Sequence, residues 1–121
     1  MKKPILIIDD DPRNIFALAL TLKTKGYRCL SATNAADGLK LLKDEQIGLV
    51  LLDMMMPDLD GYHTIAIIKK DDRNAQLPII AVTAQAMPGD REKCLAAGAN
   101  DYISKPIDVD ALLGLLRKYG Y

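Results

Sequence analysis

The sequence predicts an α/β fold in which a doubly wound parallel sheet of five strands carries five flanking helices. Five short apolar runs alternate along the 121 residues with five segments of helical periodicity. Parallel neighbours need crossover connections, and right-handed crossovers place helices on both faces of a sheet. The most apolar run, residues 49–52, ends in Asp53 and indicates a central strand that is buried on both faces.

The first half of the chain supplies the first two helices. The apolar run Ile5–Ile8 predicts the first strand, and Pro12 suits the first turn of the helix that follows. Apolar residues at helical spacing continue this helix until Gly26. A less apolar run over residues 27–32 predicts a second strand nearer an edge of the sheet. Asn34 is placed to cap the second helix.

The second half of the chain adds three helices and two strands to the central strand. Asp60 opens the third helix, and the apolar run 78–83 predicts the fourth strand. The fourth helix is expected to begin at Pro88 and to be short and polar. Residues 101–104 predict the fifth strand, and Asp108 is placed to cap the last helix.

Composition and charge exclude several classes of protein. The 16 basic and 16 acidic residues balance, so charge gives no reason to expect a nucleic acid or an anionic membrane as partner. No apolar run approaches the roughly 18 residues of a membrane span, and the N-terminus lacks a signal-peptide pattern, so we expect a cytoplasmic protein. Cys29 and Cys94 have no zinc or redox spacing and are expected to be small buried hydrophobes. We expect one domain over residues 1–121.

Four of the predicted strands end in charged or hydroxyl side chains. These are Asp9 and Asp10 after the first strand, Asp53 at the end of the third, Thr83 at the end of the fourth and Lys105 after the fifth. Open α/β sheets bind ligands beyond the carboxyl ends of their strands. Three carboxylates at that edge repel one another unless a cation joins them, and oxygen ligands favour Mg²⁺. A lysine and a hydroxyl nearby suit a phosphoryl group, which an aspartate can itself accept as an aspartyl phosphate.

Four segments around these residues carry a family resemblance. They are Ile7-Ile8-Asp9-Asp10-Asp11-Pro12, Leu52-Asp53-Met54-Met55-Met56-Pro57 with Asp60-Gly61, Ala81-Val82-Thr83-Ala84 and Tyr102-Ile103-Ser104-Lys105-Pro106. In order and spacing they resemble the motifs of the receiver domain of two-component response regulators, of the single-domain, chemotaxis-regulator-like type. The resemblance covers the whole chain. It implies a flavodoxin-like sheet of strand order 2-1-3-4-5.

The resemblance also implies a phosphorylation site that contains a metal ion. Asp53 resembles the phosphoacceptor, and Asp10 resembles the main metal-binding acid. Asp9 lies close by and is expected to act through water. Met55 stands where the backbone carbonyl binds the metal in the family, so its side chain adds no ligand. The implied cofactor is Mg²⁺, for which Mn²⁺ is a plausible substitute.

A switch that follows phosphorylation is implied by three further residues. Lys105 resembles the lysine that pairs with a phosphoryl oxygen, and Thr83 resembles the hydroxyl that turns toward another. Tyr102 resembles the aromatic residue that swings inward when this hydroxyl moves. The face formed by the fourth helix, fifth strand and fifth helix would then change and be recognised by a partner.

The implied partners are a histidine kinase or histidine phosphotransfer protein as phosphoryl donor, and a downstream target protein on that face. Neither a nucleic acid nor a membrane is expected as partner, and the protein is expected as a monomer or weak dimer. The resemblance implies that the protein assists its own phosphorylation and dephosphorylation without being an enzyme. Gln85, at a position associated with phosphate loss, is not acidic, which hints at slow self-dephosphorylation.

Three alternatives stay open. The chain is a free regulator or a receiver domain excised from a larger protein such as a hybrid histidine kinase. A Mg²⁺-dependent phosphohydrolase would need a general acid or base for turnover, and the single histidine, His63, is expected on the surface. The third alternative is a receiver-like domain that takes no phosphate, against which the full acidic set with Thr83 and Lys105 argues.

Overall fold

The computed structural model describes residues 2–56, 60–84 and 88–121, in which strands and helices alternate as predicted. The strands are β1 (Ile5–Ile8), β2 (Cys29–Ala32), β3 (Leu49–Asp53), β4 (Ile79–Thr83) and β5 (Asp101–Ser104). The helices are α1 (Pro12–Thr24), α2 (Ala35–Asp44), α3 (Gly61–Lys70), α4 (Asp90–Ala97) and α5 (Val109–Lys118), and a short 3-10 turn (Asp72–Asn74) follows α3. Within these ranges the alternation of the two element types is that of a doubly wound fold.

The five strands form one parallel sheet in the order β2-β1-β3-β4-β5. This order confirms the predicted fold, and it places β2 at an edge as expected from its weaker apolar character. The chain leaves β1 for β2 on one side and reaches β3 on the other, so strand order reverses between β1 and β3. Open sheets of this kind bind ligands at such a reversal. The carboxyl ends of β1 and β3 are therefore where the site is expected.

The sheet separates two apolar clusters. On one face, side chains from α2, α3 and α4 pack against alternate residues of the strands, among them Leu6 and Leu52. On the other, α1 and α5 cover the residues between them, among them Ile7 and Leu51. Each of these strand side chains is at most 2% exposed, and burying one stabilises the fold by about 1.5–3 kcal/mol. Burial on both faces explains why β1 and β3 are continuous apolar runs.

Four helices begin at residues whose side chains accept a backbone N–H. These N-caps are Asp11, Asn34, Asp60 and Asp108. Each such cap typically contributes about 1 kcal/mol. Capping fixes where a helix starts, and here it also fixes how closely each helix follows its strand.

Two predicted element starts are wrong by two residues, each for a local reason. The fourth helix was expected to begin at Pro88 but begins at Asp90, because Gly89 has φ 86° in the left-handed region and cannot belong to a right-handed helix. The second strand was expected from residue 27 but begins at Cys29. The N–H of Tyr27 instead donates to the carbonyl of Leu22 at 3.0 Å and closes the end of α1.

Membrane insertion of a helix finds no support in the described ranges. None of the helices there has both the length and the apolar character needed to cross a bilayer. Both cysteines lack a disulfide, and Cys94 is fully buried while Cys29 is half-buried. The expectation of buried, unpaired thiols is thus confirmed in full for Cys94 and in part for Cys29.

Candidate functional site

Three carboxylates meet at the carboxyl ends of β1 and β3. Asp9 and Asp10 follow β1, and Asp53 is the last residue of β3. One oxygen from each lies within 4.8 Å of the oxygens of the other two. Asp9 and Asp53 are buried, whereas Asp10 is exposed. The neighbouring strands thus bring together the three acids that the sequence analysis placed at one edge.

Backbone N–H groups orient the two buried carboxylates. Asp9 Oδ1 accepts a hydrogen bond from the N–H of Asp11 at 2.9 Å, and Asp53 Oδ1 accepts one from the N–H of Met55 at 2.9 Å. In both cases the donor lies two residues further along the chain, as in an Asx turn. Each turn fixes one carboxylate oxygen to the backbone. The second oxygen of each acid then faces the lysine across the site.

Lys105 bridges these second oxygens. Its Nζ lies 3.4 Å from Asp53 Oδ2 and 3.5 Å from Asp9 Oδ2. Its backbone N–H donates to the carbonyl of Thr83 at 2.8 Å, which anchors the residue at the end of β4. The peptide bond between Lys105 and Pro106 is cis. The cation that follows β5 therefore reaches across β4 to the acids at the carboxyl ends of β1 and β3.

The charges at this site do not balance. Burial raises the pKa of Asp53, and the charge of Asp9 raises it further, while the N–H of Met55 and the ammonium of Lys105 lower it. Three carboxylates against one ammonium leave an excess of two negative charges. A divalent cation that prefers oxygen ligands fits this donor set, and Mg²⁺ commonly takes one or two carboxylates together with waters and phosphate oxygens.

Thr83 and Tyr102 lie on the same face of the sheet. Ala81 on β4 is paired with Tyr102 on the neighbouring strand β5. Both side chains pack in the apolar cluster covered by α3 and α4. Thr83 stands two residues after Ala81, so its side chain points to that face as well. Thr83 is 2% exposed and Tyr102 is half-buried. The sequence-predicted hydroxyl and aromatic ring therefore share one side of the sheet.

Four other residues that the sequence analysis singled out lie on the surface or outside the described residues. The Met55 side chain is exposed, and His63 is exposed on α3. Pro57 and Gln85 lie outside the described residues. Sequence reasoning missed one contact near the site, between Tyr62 at the start of α3 and Asp90 at the start of α4. No local pattern pairs these residues, although each is a polar group in the first turn of a helix.

A groove of about 570 Å³ opens beside the acids. Its walls come from α1, the segment after β5 and the start of α5. They are formed by Asp9, Asn14, Ala17, Leu18, Thr21, Ala84, Lys105, Pro106, Ile107 and Val109. The groove is mostly apolar, and its lining includes the ion pair between Asp9 and Lys105.

Sequence comparison finds relatives over nearly the whole chain. Residues 5–117 match the model of the response regulator receiver domain. Protein PilH of Pseudomonas aeruginosa is 36% identical over 109 residues, which are 90% of each chain. The polar-differentiation response regulator DivK of Brucella anthropi is 32% identical over 98% of this chain and 97% of DivK. The sensor histidine kinase RcsC of Salmonella typhi is 37% identical over 95% of this chain, which spans only 12% of that kinase.

Structural comparison gives the same picture. The chemotaxis protein CheY4 of Vibrio cholerae superposes with a TM-score of 0.91 over 98% of this chain and 99% of CheY4, and its 21% identity supports the fold alone. The receiver domain of the sensor histidine kinase PA1611 from Pseudomonas aeruginosa has a TM-score of 0.88 and 33% identity over 98% of both chains. That structure contains a magnesium ion coordinated in its active-site cleft.

Proposed function

Because this chain belongs to the response regulator receiver domain family, we propose that it is a phosphoacceptor in a two-component or phosphorelay system. Asp53 takes a phosphoryl group from a histidine kinase or a histidine phosphotransfer protein. The observation that carries this proposal is the environment of Asp53. Its carboxylate is buried at the end of the central strand, within 4.8 Å of two further acids and 3.4 Å from the ammonium of Lys105. This is one receiver unit over residues 1–121.

Asp10, Asp53 and the backbone carbonyl of Met55 would hold Mg²⁺, with Asp9 acting through water. Their oxygen donors and their two excess negative charges support a hard divalent cation, and Mn²⁺ is a plausible substitute. When bound, Mg²⁺ would offset the repulsion among the carboxylates and stabilise the negative charge of the transferring phosphoryl group. The magnesium ion in the PA1611 receiver domain supports this proposal by analogy.

The chemistry is a nucleophilic displacement in which Asp53 supplies the electrons. A carboxylate oxygen of Asp53 attacks phosphorus as the P–N bond of phosphohistidine breaks. The imidazole leaves with that electron pair and takes up a proton. Lys105 pairs with a phosphoryl oxygen, and its charge stabilises the transferring group. The turn to Met55 holds the Asp53 carboxylate in place for the attack.

Phosphorylation changes charge where the site can respond to it. The acyl phosphate carries about two negative charges and three acceptor oxygens where Asp53 had one charge. The Thr83 hydroxyl turns to donate to one of these oxygens, and Tyr102 moves inward on the same side of the sheet. The surface of α4, β5 and α5 then differs between the two forms. A downstream partner protein that prefers one form responds to the phosphate.

The groove beside the acids supports a protein as phosphoryl donor. Its lining combines apolar residues, such as Leu18 of α1 and Ile107, with Asp9 and Lys105. A helix of the donor that lies in this groove would bring its histidine to Asp53. The protein acts either as a free regulator like PilH and DivK or as part of a larger protein like RcsC. It works as a monomer or as a phosphorylation-dependent dimer.

Intact mass spectrometry tests the proposal directly. The protein is incubated with a small acyl phosphate and Mg²⁺, with Asp53→Asn as the matched control. We expect one added phosphoryl group on the wild type and none on the variant. No adduct on the wild type would refute the phosphoacceptor function, and an equal adduct on Asp53→Asn would refute the assignment to Asp53. Steady turnover of a phosphate ester would instead favour a phosphohydrolase.

A further inference from the structure

The side of α1 that faces the edge of the sheet carries an apolar patch. Phe16 is 70% exposed and Leu20 is 52% exposed, the highest values for large apolar side chains in the described part of the chain. The two residues are four positions apart, so their side chains are neighbours on one side of the helix. Exposed apolar patches of this kind commonly mark a surface that another molecule covers.

A groove of about 1030 Å³ lies between this patch and strand β2. Its lining combines Phe16 and Leu20 with residues 28–31 around β2 and residues 44–46 at the end of α2. It is separate from the groove beside the acids, to which α1 contributes other residues. At 3.6 residues per turn, the two sets of α1 residues are centred about half a turn apart. A molecule bound at the edge therefore leaves the groove beside the acids open.

Strand β2 offers backbone hydrogen-bonding groups to the same groove. It is the last strand on its side of the sheet. The N–H of Ile5 donates to the carbonyl of Arg28 at 2.9 Å, so the backbone groups of residue 28 face the neighbouring strand β1. Because backbone groups alternate in direction along a strand, those of Cys29 and Ser31 point away from β1 and into the groove. An open edge of this kind can pair with another strand.

The charges around the groove favour a neutral partner. Lys23 and Arg28 are balanced by Asp44 and Glu45 in the lining, so the groove does not select a strongly acidic or a strongly basic molecule. The chain itself has a formal net charge of zero at pH 7, so two copies of it do not repel one another. A second copy also has an open strand edge and an apolar patch of its own, both of which are covered by the same contact.

A two-fold axis perpendicular to the sheet satisfies this surface. It sets the two β2 strands antiparallel, which is how two identical strand edges pair. The two α1 helices then lie antiparallel on one face, where Phe16 and Leu20 of each copy pack against α1 of the other. Lys23 lies in the last turn of α1 and Asp11 caps its first turn, so this arrangement also brings opposite charges together.

We propose that two copies of this chain associate through the edge formed by α1 and β2. The 13 residues of α1 span about 20 Å, and a strand edge with a helix on each face is roughly 30 Å across. The contact then buries about 600 Å² per copy and about 1,200 Å² in total, at the border between transient and standard-sized interfaces. The dimer is therefore weak. It forms without a phosphoryl group, so the inference goes beyond the proposed function and does not rest on it.

Sedimentation velocity of the metal-free protein, from about 5 µM to about 500 µM, measures the association. The mass of the wild type should rise toward that of two chains. Replacing Phe16 and Leu20 together by serine should raise the dissociation constant at least about tenfold, because two apolar side chains no longer become buried. Ile67→Ser is the matched control, because it removes a side chain that is 38% exposed on α3, outside the groove, and it should dimerise like the wild type.

Ser31→Pro tests the strand pairing separately. Proline removes the outward N–H of residue 31 and is tolerated on an edge strand, whereas Ser31→Ala keeps that N–H. We expect Ser31→Pro to weaken the dimer at least about tenfold and Ser31→Ala to leave it unchanged. Equal association of Ser31→Pro and Ser31→Ala would overturn the pairing through β2.

Two other outcomes would overturn the inference as a whole. A wild type that stays a single chain at the highest concentration would do so, and an extended segment of a different protein would then be the occupant of the groove. A dimer that forms only after treatment with acyl phosphate, and that the serine substitutions at Phe16 and Leu20 do not weaken, would place the contact elsewhere. That result would leave the proposed function standing, since the adduct on Asp53 is measured independently.

Discussion

Replacing Asp53 by asparagine should make the metal-free protein more stable, although it removes the residue on which the proposed function depends. The Asp53 side chain is 3% exposed, and burial and the nearby charge of Asp9 raise its pKa, so its charged form is unfavourable in the folded protein. Asparagine has the same shape and can still accept the hydrogen bond from Met55. The substitution therefore removes a charge and little else.

The size of the effect follows from the distances. At 4.8 Å two unit charges repel by about 3.5 kcal/mol for an effective dielectric constant of about 20, so Asp9 and Asp10 together oppose Asp53 by about 7 kcal/mol. The attraction to Lys105 at 3.4 Å offsets about 5 kcal/mol of this repulsion. The net repulsion that Asp53→Asn removes is therefore about 2 kcal/mol. Solvent screening of the exposed Asp10 lowers this value, and the desolvation of Asp53 raises it. For a domain of 121 residues, 2 kcal/mol corresponds to about 8 °C in Tm.

Thermal unfolding followed by circular dichroism, at pH 7 with a chelator, measures this difference. Asp101→Asn is the matched control, because Asp101 is also a buried acid but is well paired. It accepts hydrogen bonds from Lys118 at 3.0 Å and Tyr119 at 3.1 Å. Burial raises the pKa of Asp101, yet these bonds and the N–H of Tyr102 outweigh burial and lower the pKa overall. Asp101→Asn should therefore cost about 1 kcal/mol at neutral pH.

The control has a pH dependence of known sign. A carboxyl with a lowered pKa in the folded state stabilises the protein above its unfolded pKa of about 3.9. That contribution is lost as pH falls through the folded pKa, so Asp101→Asn and the wild type should converge in acid. A metal-free Asp53→Asn protein with the wild-type Tm or a lower one would refute the repulsion argument. An equal rise in Tm for Asp101→Asn would show that the gain is not specific to the site.

Three further predictions concern metal binding, packing and thiol reactivity. Mg²⁺ should bind Asp10→Asn more weakly than the wild type, because the variant has one carboxylate fewer; equal affinities in calorimetric titration would contradict this. Gly38→Ala should lower the free energy of unfolding, measured with urea, by about 1–3 kcal/mol. The added Cβ would lie 2.5 Å from Cδ1 of the fully buried Ile8. Gly114→Ala in α5 has open space and should add about 1 kcal/mol, so a loss at both glycines would contradict the packing argument. Burial raises the pKa of the Cys29 thiol to about 11. Iodoacetamide at pH 8 should therefore modify Cys29 on the order of 100-fold more slowly than a free thiol. Rapid labelling of the Cys29 peptide, measured by mass spectrometry, would contradict this prediction.

Much of the fold could be predicted because its signals are local or periodic. The apolar run before Asp53 indicates a central strand, and the alternation of strands and helices indicates parallel pairing. Once pairing is parallel, Asp9, Thr83 and Lys105 must end near the same edge, so the acid–lysine cluster follows from topology. The start of α4 was missed because Pro88 suits a first turn, whereas the φ of Gly89 excludes it from the helix.

The contacts that join separate helices could not be predicted. Asp90 is two residues after Pro88 and is expected from sequence only as an exposed acid that favours a helix N-terminus. Its hydrogen bond to Tyr62 depends on how α3 and α4 pack on the sheet, and 28 residues separate the two positions. Likewise, the bonds from backbone N–H groups to Asp9 and Asp53 depend on the turn conformation that follows each strand. Packing and turn geometry, which no periodicity encodes, decide these details.

The charge balance at the sheet edge connects stability with signalling. Lys105 neutralises one of the three negative charges, and a bound divalent cation would neutralise the other two. The metal-bound site would then be neutral before phosphorylation. Exchanging the single charge of Asp53 for the nearly two charges of an acyl phosphate restores an excess of about one. In the proposed function the Thr83 hydroxyl is the neighbouring donor that responds to this excess. Because Thr83 points to the face covered by α4, where Cys94 is that helix's buried residue, the response in the proposed function would reach an element that small changes in free energy can move.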